Sequence, residues 1–307
     1  MDKEIIKFDH IYKSYGHTNA ISDMNFCAEA GHIHCIVGRS GAGKTTVVKL
    51  IAGLERSDSG KISYFGEDNS LTKARHRMGF MIDDMISDPE MTIHDYLEYL
   101  QYTTGYPDRK RIDAVVETMM LQDYLNKKNS SVSLDVRKRL GIASAIFTQP
   151  EVLVLDEPMY GMSPVSVTKI SNQLKKLVAE MSTTLLITSN NLSEVISLGT
   201  DFTFVDKGKA VGTFSSEEVY QKCKDNLCIV TDDNNKASII LEELGITRYR
   251  VTYNNEIHIY DYNGKIDIIS KTITDHGLII RKLAENINLY DGFIDNLGDK
   301  NDKYDKS

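Results

Sequence analysis

The sequence predicts an α/β domain followed by a small α+β domain, and three observations carry that expectation. Short uninterrupted apolar runs alternate with segments of helical periodicity through the first two thirds of the chain, as in a parallel sheet covered on both faces. One such run, Gly31 to Val37, leads into Gly38-Arg-Ser-Gly-Ala-Gly-Lys-Thr45, which fits G-x-x-x-x-G-K-[ST], the phosphate cradle of a P-loop NTPase. After about Phe214 the pattern changes to β-α-β-β-α-β, the split-βαβ, ferredoxin-like order.

Ile5 to His10 alternates loosely and reads as a strand, and Gly31 to Val37 reads as a second. Gly38 to Gly43 breaks that strand, and Lys44 to Ala52 has helical spacing. Glu55 to Asn69 is polar and turn-rich. Thr92 to Thr103 reads as a helix, with Thr92 and Asp95 resembling a capping box. Arg109 to Leu125 and Val136 to Phe147 are further helices. Val152 to Leu155, all Val and Leu, reads as a buried strand, Ser166 to Met181 as a helix and Thr184 to Thr188 as another buried strand.

In the second part the expected strands are Leu227 to Thr231, Arg248 to Tyr253, Glu256 to Tyr260 and Leu278 to Leu283. Lys236 to Leu244, Lys265 to Thr274 and Leu289 to Leu297 read as helices, with Asn254-Asn255 as a hairpin turn. A length of 307 residues suits two domains. The expected boundaries are 1–215 and 216–298, with a frayed polar tail over 299–307.

A net charge of −8 argues against a protein built to grip a nucleic-acid backbone. No stretch reaches ~18 apolar residues, so any membrane role is expected to come through a partner. Cys27, Cys35, Cys223 and Cys228 form no C-x-x-C pair and read as free cytosolic thiols. His258 reads as packed or solvated rather than as a ligand.

In the cradle, the glycines let successive N–H groups point at phosphate oxygens, and the helix starting near Lys44 adds its positive dipole end. Gly38, Arg39, Ser40, Gly41, Ala42, Gly43, Lys44, Thr45 and Thr46 are the expected ATP-binding residues, Lys44 reaching the β- and γ-phosphates and Thr45 sitting on Mg2+. The strand Val152 to Leu155 ends in Asp156-Glu157. Asp156 is expected to hold the metal, and Glu157 to orient or deprotonate the attacking water.

From Ile5 to about Ser215 these pieces, in this order, resemble the ATP-binding subunits of ABC transporters, whose fold includes a helical signature subdomain. Ser14-Tyr15-Gly16 looks like the family's adenine-stacking loop, with Tyr15 facing the base. Ser133-Leu-Asp-Val-Arg-Lys-Arg-Leu-Gly-Ile-Ala143 looks like its signature motif and helix, and Asp156-Glu-Pro158 like its second phosphate and metal motif. The resemblance implies ATP and Mg2+ as ligands, and a head-to-tail dimer with itself or a related ATPase. In such a dimer, Ser133 and Asp135 face the partner's ATP. It further implies a polytopic membrane permease on the inner face of the cell membrane, with the coupling contact within Met85 to Tyr102. The C-terminal extension and the Leu-Gly-Ile-Ala run are similar to the bacitracin- and lantibiotic-resistance type of exporter.

Four positions depart from the family pattern: Asp83 for glutamine, Asp135 for the signature glycine, Ser163 for aspartate and Asn190 for the switch histidine. Asp83 is shorter than Gln but anionic, so it can still ligate Mg2+. Asn190 can donate to the γ-phosphate without a positive charge, and Ser163 lacks the carboxylate that communicates across the dimer. Asp135 faces a polyanion: one like-charge pair at ~4 Å costs roughly 4 kcal/mol at an effective dielectric near 20. Rotation away, protonation or pairing with Arg139 one turn on would relieve some of this, and an acid in a first helical turn stabilises the helix by ~0.3–1 kcal/mol. The expected function is an ATP-hydrolysing subunit, with Glu157, Lys44 and Asn190 catalytic, powering export of a peptide antibiotic or similar amphiphile. The alternative is a catalytically impaired regulatory partner with slow or no hydrolysis.

Overall fold

The computed structural model describes residues 4–66, 71–82, 88–105, 108–252, 256–260, 262 and 264–287. It contains two compact units, Met1–Ser216 and Glu217–Ser307.

The first unit begins with β1 (Glu4–Tyr15), β2 (Thr18–Glu29), β3 (Ile33–Val37), α1 (Lys44–Ile51) and β4 (Ser59–Tyr64). β2-β1-β4 form an antiparallel three-stranded sheet. Two of its strands were not expected: β2 was unassigned, and β4 falls in the stretch Glu55 to Asn69 read as turn-rich. Its inner residues Phe8 and Phe26 stack at 4.6 Å between ring centroids, in one core with Val47, Leu50 and Ile51 of α1. That packing fixes the helix carrying Lys44 and Thr45.

α2 (Leu71–Arg75), β5 (Met78–Met81), α3 (Ile93–Thr104), α4 (Arg109–Thr118) and α5 (Leu134–Ile146) follow. α3 opens on the anticipated capping box, with Asp95 N donating to Thr92 Oγ1 at 3.1 Å. α4 stops at Thr118, short of Leu125, because Met120 turns into the left-handed region (φ 53°). α5 starts two residues earlier than the expected Val136, capped by the Ser133 hydroxyl.

β6 (Val152–Leu155), α6 (Pro164–Met181), β7 (Thr184–Ser189), α7 (Leu192–Val195), β8 (Asp201–Asp206) and β9 (Lys209–Ser215) complete the unit. The main sheet has the order β5-β6-β7-β3-β8-β9 and is parallel except for the β8-β9 pair. Buried on both faces, β3, β6 and β7 show no polar alternation. Their carboxyl ends lie side by side, which is where open α/β sheets place ligands.

The second unit runs α8 (Ser216–Cys223, its first residue in unit one), β10 (Lys224–Thr231), α9 (Asn234–Glu243), β11 (Tyr249–Val251), β12 (Ile257–Ile259), α10 (Ile266–Asp275) and β13 (Ile280–Ile287). The sheet order is β11-β12-β10-β13, every neighbouring pair antiparallel. Leu227, Ile229, Ile257 and Ile259 join Ala237, Leu241, Ile269 and Ile273 in one core, so both helices cover the same sheet face. The hairpin turn at Asn254-Asn255, the helix Leu289 to Leu297 and the polar tail lie outside the described residues.

Candidate functional site

The cradle is the link between β3 and α1. Gly43 caps α1 at φ 107°, and a Cβ there would meet Ala20 O at 2.7 Å. Only glycine suits both the angle and the approach. Gly208 N donates to Ala42 O, and Ser22 N donates to Gly208 O, each at 2.9 Å, which ties the loop to β2 and to the β8-β9 turn. No side chain caps α1 and no acid lies in its first turn. Its free N–H groups therefore face the cleft with their full positive end, as an anion requires.

Lys44 is 5 % exposed, and its ammonium donates to Gly38 O at 2.8 Å and Arg39 O at 3.2 Å. It also pairs with Glu157 Oε1 at 3.1 Å. Asn190 N donates to Glu157 Oε2 at 3.1 Å, so the carboxylate is held at both oxygens. Glu157 itself sits at φ 46°, a left-handed conformation that costs a residue with a side chain of order 1 kcal/mol or more.

Thr188 was not anticipated. Abreast of Asp156 in the β6-β7 register, its hydroxyl donates to Asp156 Oδ1 at 2.5 Å and accepts from Glu157 N at 2.9 Å. One hydroxyl thus orients both acids. The only sequence signal is a threonine at the end of an apolar strand.

Lys44, Asp156, Glu157 and Asn190 line a cleft of about 500 Å3, with Thr188 behind its wall. Of the expected residues it brings together Tyr15, Ser40, Gly41, Gly43, Lys44, Thr45, Thr46, Asp156, Glu157 and Asn190. Gly38, Arg39 and Ala42 shape the loop without lining the cleft. Lys138, 4 % exposed on α5, and Tyr160, 54 % exposed, also line it; Lys138 falls within the signature-like run without having been singled out, and no motif pointed to Tyr160.

Ser133 and Asp135 lie outside this cleft, at the start of α5. Ser133 is exposed and caps the helix, its hydroxyl accepting from Val136 N at 3.4 Å. Asp135 pairs with Arg139 at 2.9 Å. Ser163 is the N-cap of α6 and accepts from Ser166 N. Asp83 lies outside the described residues, as does the Met85 end of the expected coupling segment.

The donor set fits a magnesium nucleotide. Asp156 is 3 % exposed and oriented at the cleft wall, and Thr45 offers a hydroxyl from the first turn of α1. A carboxylate and a hydroxyl beside free helix amides are oxygen ligands for a hard cation next to an anion site.

The family profile described as ABC transporter matches residues 21–160. The bacitracin transport ATP-binding protein BcrA of Bacillus licheniformis is 29 % identical over 91 % of this chain and 92 % of its own length. An uncharacterised ABC transporter ATP-binding protein of Bacillus subtilis, YcbN, is 30 % identical over 88 % of this chain and 89 % of its own. Among solved structures, the dimeric bacterial ABC transporter cassette MJ0796 superimposes with a TM-score of 0.63 at 23 % identity. That match covers 69 % of this chain and 99 % of the cassette.

Proposed function

The chain belongs to the ATP-binding subunits of ABC transporters, and on that premise we propose that it hydrolyses ATP to power export of a peptide antibiotic or similar amphiphile. The observation that carries the reading is the convergence of Lys44, Asp156 and Glu157 on one cleft, with Glu157 held at both oxygens. The substrate class rests on the match to BcrA over nine tenths of both chains.

ATP seats its phosphates on the cradle amides, with Lys44 moving from the loop carbonyls and Glu157 to the β- and γ-oxygens. Thr45 and Asp156 would hold Mg2+, which when bound would neutralise charge developing on the transferred phosphoryl group. Glu157, released by Lys44 and still steered by Asn190 N, orients the attacking water. Tyr15 stacks on the adenine. No helix among the described residues is long and apolar enough to cross a membrane, which suits a subunit docked on a separate permease. Ser133 and Asp135, outside their own cleft, act on the ATP of a head-to-tail partner. The antiparallel order β11-β12-β10-β13 supports reading the C-terminal unit as ferredoxin-like.

Steady-state phosphate release with and without Glu157→Gln tests the reading. The expected result is a loss of at least about a hundredfold with ATP binding retained. ATP binding without Glu157-dependent release overturns it and leaves the regulatory partner.

A further inference from the structure

The second unit carries a group of side chains that the ATP site does not use. Cys228 on β10 and His258 on β12 are direct cross-strand partners. Glu256 lies two residues before His258 and therefore on the same side of the sheet. Their neighbours Leu227, Ile229, Ile257 and Ile259 face the helices, so this trio occupies the opposite face.

The donor atoms of Cys228, Glu256 and His258 all lie within 4.8 Å of one another. Cys228 is fully buried, whereas His258 and Glu256 keep side-chain exposures of 20 % and 26 %, which gives the group a solvent-facing mouth. Lys282 Nζ donates to Glu256 Oε1 at 2.8 Å, and His258 Nε2 lies 3.2 Å from Oε2.

We propose that Cys228, Glu256 and His258 form a three-ligand site for a divalent cation of the zinc type, with a fourth position open to water. One sulfur, one imidazole nitrogen and one carboxylate oxygen are the ligand mix of zinc, not of the all-oxygen sites that magnesium and calcium take. In a four-coordinate zinc centre the donors stand about 3.3–3.5 Å apart. Side-chain rotation on a rigid pair of strands closes the difference. On binding, Cys228 gives its thiol proton to solvent and coordinates as thiolate. Lys282 stays on the second carboxylate oxygen and fixes the orientation of Glu256, as an outer-shell partner does. The sequence reads Cys228 as a free thiol and His258 as packed or solvated, and Cys228 is a free cysteine in the structure; a ligand role for them is what the proposal adds, since no spacing rule links residues 228, 256 and 258.

The test uses the full-length, metal-free chain without nucleotide, titrated with zinc against a chromophoric chelator and separately with cobalt(II). One equivalent of zinc and a sulfur-to-cobalt charge-transfer band are expected. Cys228→Ser should abolish the band, and His258→Gln and Glu256→Gln should each weaken zinc at least about tenfold. Cys27→Ser should change nothing. Because Cys228 is buried, the two partly exposed variants decide the matter if Cys228→Ser misfolds. Absence of the band, or zinc binding unmoved by His258→Gln and Glu256→Gln, overturns the site.

Discussion

The carboxylate of Asp135 lies 2.9 Å from Nη2 of Arg139, one turn further along α5. The same guanidinium donates to Met120 O at 2.7 Å and Met119 O at 3.3 Å, and its carbon sits 5.4 Å from the Tyr124 ring. Arg139 therefore fastens the signature helix to the end of α4, and Asp135 is drawn back along its own helix. The pair is one-sided: Asp135 Oδ1 and Arg139 Nε have no hydrogen-bond partner.

The two residues should respond unequally to substitution. Arg139→Ala breaks three contacts and strands a carboxylate, costing ~3 kcal/mol in urea unfolding. Asp135→Gly should cost less, about 1–2 kcal/mol in the same assay, because Arg139 keeps its two carbonyls while a first-turn acid is lost and a glycine enters the helix. In the proposed head-to-tail dimer, removing the carboxylate would relieve roughly 1 kcal/mol of repulsion against the partner's ATP. Phosphate release at saturating ATP should then rise about fivefold. An unchanged rate would mean that Arg139 already neutralises Asp135 completely.

Thr188 gives a second contrast. Thr188→Val keeps the shape but leaves Glu157 N without an acceptor and frees Asp156 Oδ1. Stability should fall by ~1–2 kcal/mol, and phosphate release should fall about tenfold or more. Thr188→Ser should recover most of both, since only the hydroxyl is needed.

Asn190 reaches Glu157 through its backbone N–H, so changing its side chain leaves that contact in place. Asn190→His should raise kcat several-fold below about pH 6.5, where imidazole carries a charge for the γ-phosphate, and by less above it. A pH-independent change would show that charge at this position is not what limits turnover.

His34 sets an acid limit on stability. It is 1 % exposed, its Nε2 pairs with Thr203 Oγ1 at 2.8 Å, and its ring stacks on Phe26. Burial lowers its pKa to about 4, opposed by Asp201 and assisted by His32. Below about pH 6.5 the unfolded chain takes up a proton that the folded chain refuses, so stability falls as pH drops towards 4. The loss between pH 7.5 and 5 should be ~2 kcal/mol by urea unfolding, and His34→Gln should remove that share of the slope.

Legibility in the sequence followed the range of the forces involved. β6 was read to the residue because a run of Val and Leu admits no other face, and the Thr92-Asp95 cap because it is local. β2 and β4 were missed because their pairing with β1 carries several register shifts, with His10 and Asp23 both at positive φ, which erases the alternation. The Asp135–Arg139 contact was legible as an i,i+4 pair. Thr188 was not, because its place beside Asp156 depends on the register of two strands far apart in sequence.

Tyr15 tests the adenine end of the cleft. It closes β1, is 43 % exposed and lines the cleft, with Lys13 Nζ 5.2 Å from its ring centroid. An aromatic face stacked on a base is worth ~1–3 kcal/mol by alanine substitution. Tyr15→Ala should therefore weaken ATP by about five- to a hundredfold in equilibrium binding, with phosphate release at saturating ATP little changed. Tyr15→Phe keeps the ring and should bind ATP as the wild type does. If Tyr15→Phe fails with Tyr15→Ala, the hydroxyl rather than the ring face is the contact. If neither matters, the base lies elsewhere along Thr18, Asn19 and Ala20, which share the same wall.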